Sequence, residues 1–193
     1  MANASTTGFG FRPIKKVGQT DNVGALTEYS VAASSALISH AAMVQLTADG
    51  VVLASGNTDA NNLGSLNGVF YTDATTSKPT FSNYSPASNT ATDIVAFVND
   101  DPRQVYEIMS ADTAFNQNEV GGCADQVVSA GSSPLFISKS KISATTATTL
   151  AQLFIMGVSR DPDHSDTSEE GFALRVQIRE HILIGNDTAR AGV

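Results

Sequence analysis

The chain has 193 residues, of which 41% are apolar and 16% charged, and carries a formal net charge of −8. That length and balance suit one folded domain with a real core and exclude a disordered, polyelectrolyte-like chain. A net negative field repels phosphate, so sequence-independent nucleic-acid binding by counterion release lacks its usual basis.

Residues 1–25 hold three of the eleven Lys and Arg, and Gly8, Gly10, Pro13 and Gly18 interrupt any regular pattern. The composition predicts an extended N-terminal arm, with residues 26–193 forming a single β-rich domain. In the arm Phe9, Phe11 and Ile14 alternate with small or basic residues. Such a segment either buries its aromatics against another molecule or folds back onto its own body, and composition leaves both open. The opening MANASTTGFGFRPIKK lacks the apolar core of a secretory signal, and no apolar run reaches the ~20 residues of a membrane helix. The expectation is a protein made in a cytoplasm, with no membrane partner.

Between residues 28 and 55, EYSVAASSALISHAAMVQLTADGVVLAS places Asp49-Gly50 between two apolar runs, the signature of a β-hairpin pairing residues 42–46 with 51–54. Residues 57–68 are Asn/Gly-rich and read as a loop, 68–72 (GVFYT) as a strand, and the Ser/Thr/Asn/Pro-rich 73–92 as another loop. The β-branched runs at 92–98 (TDIVAFV) and 104–109 (QVYEIM), separated by Asn99-Asp100-Asp101-Pro102, predict a second hairpin. Residues 112–128 have apolar positions near helical spacing, but Gly121-Gly122 limits them to at most one short helix. Strands are expected at 134–138 and 153–158, and Phe172 to Ile184 (FALRVQIREHILI) closes the chain with alternation that sets Leu174, Val176 and Ile178 on one face and Arg175, Gln177, Arg179 and His181 on the other. Roughly seven to nine short strands with Gly/Pro/Asn turns must close or stack to bury their faces, which predicts a mainly β fold, a compact barrel or sandwich.

Chemistry is sparse. Cys123 is the sole cysteine, which excludes an intrachain disulfide and a Cys-rich zinc site, and reads as a packing residue. His40, His164 and His181 sit in no recognisable motif, and there is no G-x-S-x-G elbow, phosphate loop or H-E-x-x-H. The reading is of a non-enzyme without cofactors. The run DPDHSDTSEEG gathers Asp161, Asp163, Asp166, Glu169 and Glu170, oxygen donors suited to a hard cation. It departs from the EF-hand pattern, with Asp166 where that loop needs glycine and Phe172 where it ends in glutamate, and reads as a solvated acidic loop.

Several segments are more specific: MANASTTGFGFRPIKKVG, SHAAMVQLTADGVVLAS, LNGVFYTDATTSKPTFSNY and ATDIVAFVNDDPRQVYEI. In these the chain resembles the head-associated structural proteins of tailed bacteriophages, marine ones in particular, that decorate or cement an icosahedral capsid. The resemblance implies a β-rich body on the outer capsid surface that binds the major capsid protein, bridges capsomers and self-associates as a dimer or trimer. On this reading Phe9, Phe11, Pro13 and Ile14 anchor in apolar grooves while Arg12, Lys15 and Lys16 meet acidic rim residues. The alternatives are a tail, fibre or head-tail connector protein, and a carbohydrate-binding β-domain. For the last, no tryptophan and only four tyrosines are available for stacking, with Tyr71 and Tyr84 beside loops.

Overall fold

The computed structural model of the protein describes residues 3–18, 26–32, 35–54, 61–143 and 151–184. Of the segments above, residues 1, 2 and 19–25 of the arm, 57–60 of the Asn/Gly stretch and the chain beyond 184 lie outside them. In chain order the strands are β1 (Arg12–Lys16), β2 (Thr27–Ser30), β3 (Met43–Thr47), β4 (Gly50–Leu53), β5 (Asn62–Thr72), β6 (Pro79–Ser82), β7 (Val95–Asn99) and β8 (Gln104–Met109). Then follow β9 (Cys123–Ala124), β10 (Gln126–Val127), β11 (Lys141–Ile142), β12 (Leu153–Val158) and β13 (Ala173–Ile178). Five strands form one sheet in the order β1-β8-β13-β12-β9. Six form another, β2-β7-β5-β3-β4 with β6 added to β5, and β10-β11 make a small ribbon. All these strand pairs are antiparallel, giving the expected mainly β architecture.

The hairpin β3–β4 forms where the Asp-Gly signal places it, with Thr47 paired to Gly50 around Ala48 and Asp49. Gly50 has φ +120°, and a Cβ there would stand 2.6 Å from the Ser30 carbonyl oxygen. The glycine therefore turns the chain and also lets β4 approach the end of β2. There the two outer strands of the six-stranded sheet meet: Val31 bridges Val51, and the Ala32 N–H donates to the Val51 carbonyl at 3.1 Å. The sheet is thereby rolled on itself around Val44, Val51, Leu63, Leu66, Val69, Ala96 and Val98, all buried. A second cluster lines the five-stranded sheet with Tyr106, Ile108, Leu153, Ile155, Leu174, Val176 and Ile178, and Met43 and Ala54 join it from the hairpin.

The second hairpin does not form. β7 pairs with β2 and β5, whereas β8 pairs with β1 and β13, so residues 100–103 carry the chain from one sheet to the other. Every residue of β8 is buried, and its two edges are taken by β1 and β13. The crossing is fixed by the Tyr106 hydroxyl donating to the Asn99 carbonyl at 2.8 Å and by Lys16 paired with Asp101 at 2.6 Å.

Other elements are corrected as well. β5 begins at Asn62, inside the stretch read as loop, because its small residues admit close strand approach: a Cβ on Gly64 would stand 1.9 Å from the Asn99 carbonyl oxygen. The Ser/Thr/Pro segment contains β6, confined by Pro79 to an edge position. Residues 112–128 hold a single 3-10 turn at Gln117–Glu119 and then β9 and β10, since Gly121 at φ +86° ends any helical course. Residues 134–138 make a turn closed by the Phe136 N–H on the Ser132 carbonyl, with Ile137 alone bridging His40. β13 stops at Ile178, where the Arg179 N–H bonds the Gln152 carbonyl and the chain leaves to bridge His181 to Asn62.

Candidate interaction surface

Residues 3–18 are part of the body rather than an extended arm. β1 lies along β8, the Phe11 N–H donates to the Ala41 carbonyl at 2.7 Å, and the Phe11 ring is 0% exposed, edge-on to Tyr106 at 6.0 Å. Gly10 makes this possible: it sits at φ +72°, and a Cβ would meet the Ala41 oxygen at 2.4 Å. Of the residues expected to contact a partner, Phe11 is therefore committed to the core. Pro13, Ile14 and Lys15 are half-buried in β1, and Lys16 is spent on Asp101. Phe9 packs on His164 at 5.5 Å, with the Arg12 guanidinium 4.8 Å above its ring.

The acidic loop is stapled by the same segment. Asn3 Nδ2 donates to the carbonyls of Asp166 and Glu170 at 2.9 Å each, and the Asp166 N–H donates back to Asn3 Oδ1. Arg12 donates to Asp161 at 2.9 Å, which holds that carboxyl below the usual carboxylate range. Among the described residues no group of three or more His, Cys, Asp and Glu is arranged to hold a metal ion. Backbone engages the first two histidines: His40 Nδ1 lies 2.8 Å from the Asn67 carbonyl and His164 Nδ1 2.9 Å from that of Gly171. His181, expected on an outward basic face, is buried instead. Cys123 is half-buried, its Sγ 3.7 Å from Arg179 Nη1.

Exposed aromatic side chains gather elsewhere, on the outside of the rolled sheet. In β5, Val69 and Tyr71 face the core, so Phe70 between them faces out and is 40% exposed. Its cross-strand partner on β6 is Phe81, 63% exposed. The Phe81 ring lies across Gly68, where a Cβ would come 2.8 Å from its Cζ, and leans on Phe97 of β7 at 6.0 Å and 41°. Next to the end of β6, Asn83 Nδ2 holds the Leu135 carbonyl at 2.8 Å, Tyr84 stacks on Phe136 at 4.1 Å, and Leu135 is exposed. The result is a face of the exposed Phe70 and Phe81 over the half-buried Phe97, with Leu135 beside it, presented on strands rather than on a loose arm.

Sequence reading missed this face because it dissolved β6 into a polar loop. The consecutive Val69, Phe70 and Tyr71 were the available signal, because successive strand residues face opposite sides and one of the three must point away from the core. The tyrosines weighed for sugar stacking are not free platforms: Tyr71 is buried, and one face of Tyr84 is covered by Phe136.

Comparison of the chain with protein-family models, with curated proteins and with solved structures finds no match.

Proposed function

We propose that the protein is a virion structural protein that binds the outer surface of an icosahedral capsid and stabilises contacts between capsomers, docking through the face of Phe70, Phe81 and Phe97. The observation that carries this reading is the exposure of adjacent phenylalanines on paired strands. Clustered exposed apolar surface marks binding sites, and aromatic residues on a rigid support bind with little ordering cost. Each phenylalanine fully withdrawn from water contributes about 2–3 kcal/mol. Many copies on a shell turn such modest contacts into firm attachment through avidity.

The test is co-sedimentation with purified capsids, together with the stoichiometry of the protein in virions by quantitative mass spectrometry. Phe81→Ser and Phe70→Thr are expected to lower capsid association at least tenfold while leaving the fold intact; unchanged association would remove this face from the reading. A simple ratio to the major capsid protein supports a cement role, whereas a few copies per particle would point to a tail, fibre or connector. One observation favours a second reading, carbohydrate binding: Phe81 offers an open aromatic surface over Gly68. A glycan array on which Phe81→Ser abolishes a hit would select it.

A further inference from the structure

The outer side of the five-stranded sheet carries a charge arrangement that the aromatic face does not explain. Arg175 of β13 stands in register opposite Glu107 of β8, the kind of cross-strand pair that opposite charges join. The Glu107 carboxylate goes elsewhere. One oxygen accepts from the Arg12 guanidinium, with Nε at 2.9 Å, and the other from the Ser159 hydroxyl. Arg175 is left with a single acceptor, the Val158 carbonyl 3.0 Å from its Nε. Its guanidinium lies over Gly157, where a Cβ would come 3.2 Å from Nη2, and neither η nitrogen has an acceptor among the described residues. The backbone thus fixes the fork of Arg175 and leaves its bidentate edge unused.

Lys15 and Arg160 line the same notch as Arg175, Glu107 and Ser159, a cavity of about 260 Å³. Neither cation has a carboxylate within ion-pair distance among the described residues. Asp161 borders the notch but is occupied by Arg12 and by the N–H of Asp163. With Arg12 shared between Glu107 and Asp161, four cations face two carboxylates around one cavity, a local excess of positive charge in a chain that has 19 acidic residues and 11 basic ones.

We propose that this notch receives a carboxylate side chain from an acidic segment of a protein partner, with the fork of Arg175 as the principal donor and Lys15 and Arg160 as supporting cations. The volume suits one side chain, and a planar carboxylate matches the guanidinium edge. Screening over about 8–10 Å lets the local cations act against the net negative charge of the chain. A nucleic acid is the poorer occupant, because its phosphates, one per ~1.7 Å of duplex, extend beyond the notch over the surrounding carboxylates. Phe154, exposed on the same side of β12 and paired with Gln177, offers apolar surface to the segment carrying the carboxylate. This inference rests on the docking reading above, to which it adds the chemistry of a second contact.

The test uses the full chain and a fluorescein-labelled hexaglutamate peptide followed by anisotropy. Wild type is expected to bind saturably, with affinity falling when salt rises from about 50 to about 500 mM. Lys15→Gln combined with Arg175→Gln should lose affinity at least tenfold. Arg175→Lys, which keeps the charge without the fork, should fall between, and circular dichroism checks that each variant folds. Equal binding by wild type and the double variant, or no saturable binding by wild type, overturns the proposal. Running Phe81→Ser in parallel separates the two readings. Lost capsid association with retained peptide binding supports both, capsid association without peptide binding sinks only the notch, and peptide binding without capsid association sinks only the docking reading.

Discussion

The Phe81 ring reaches over Gly68, its Cζ filling the space that a Cβ on the neighbouring strand would need: the added carbon would come 2.8 Å from Phe81 Cζ and 2.9 Å from the Ser82 carbonyl oxygen. Gly68→Ala must therefore push out both the ring and the backbone of β6. The expected cost is about 1–2 kcal/mol in urea unfolding, and because β6 pairs with β5 alone among the described residues, amide exchange should quicken at residues 79–82 before it does elsewhere. On the proposed docking reading, capsid association should fall with it. A variant that unfolds like wild type but still loses association would show that the position of the ring, not the strand, is what matters.

Gly50 couples the hairpin to closure of the rolled sheet. Its φ of +120° and the 2.6 Å approach of a Cβ to the Ser30 oxygen make Gly50→Ala both strained and sterically blocked. A loss of about 2–3 kcal/mol is expected, with early exchange of the Ala32 amide that donates to Val51 across the seam. Retention of that amide's protection would mean that the seam closes without the glycine.

What could be read in advance was local. The β3–β4 hairpin, β12 and β13 follow from an Asp-Gly turn, a short apolar run and period-two alternation, all of which act over a few residues. The failures were non-local. Nothing in ATDIVAFVNDDPRQVYEI distinguishes a hairpin from a crossing between sheets, because the choice is made by β2 and β5 on one side and by β1 and β13 on the other. The N-terminal segment shows the same limit: whether Phe11 seeks a partner or its own core depends on Tyr106 and Ala41, distant in sequence. β6 was hidden because Pro79, Thr80 and Ser82 have loop-like identities but edge-strand positions.

Because Phe11 is buried against Tyr106, removing the N-terminal segment should damage the body itself. Phe11→Ala is expected to cost about 3–5 kcal/mol, as a large side chain lost from a packed core does. Deletion of residues 1–18 also strips β1 from β8 and should cost more. Thermal unfolding of both variants decides the matter. A deletion variant with the wild-type melting temperature would return the segment to the status of a detachable arm.

His181 gives the protein a stability limb near neutral pH. The ring is 2% exposed and its Nδ1 accepts the Leu183 N–H at 3.2 Å, so the neutral imidazole carries its proton on Nε2. Burial pushes the pKa below the ordinary value, and the nearby Asp100, itself accepting from Tyr29 and Thr27, opposes the shift without reversing it. A depressed folded-state pKa means that the unfolded chain takes up its proton first as pH falls. The contribution is then fully present above about pH 6.5 and is lost as pH drops from there through the folded value. Protonation at Nδ1 would also remove the acceptor for Leu183, next to the bridge between His181 and Asn62 that ties the end of the chain to β5. His181→Asn, which keeps an acceptor and cannot titrate, should flatten unfolding free energy between about pH 5 and 7. Asp101 and Asp161, held below their usual range by Lys16 and Arg12, lose their contribution as pH falls through and below about 4, so the acid limb should survive in the variant. A His181→Asn protein with the wild-type slope over the neutral interval would place the titrating group elsewhere.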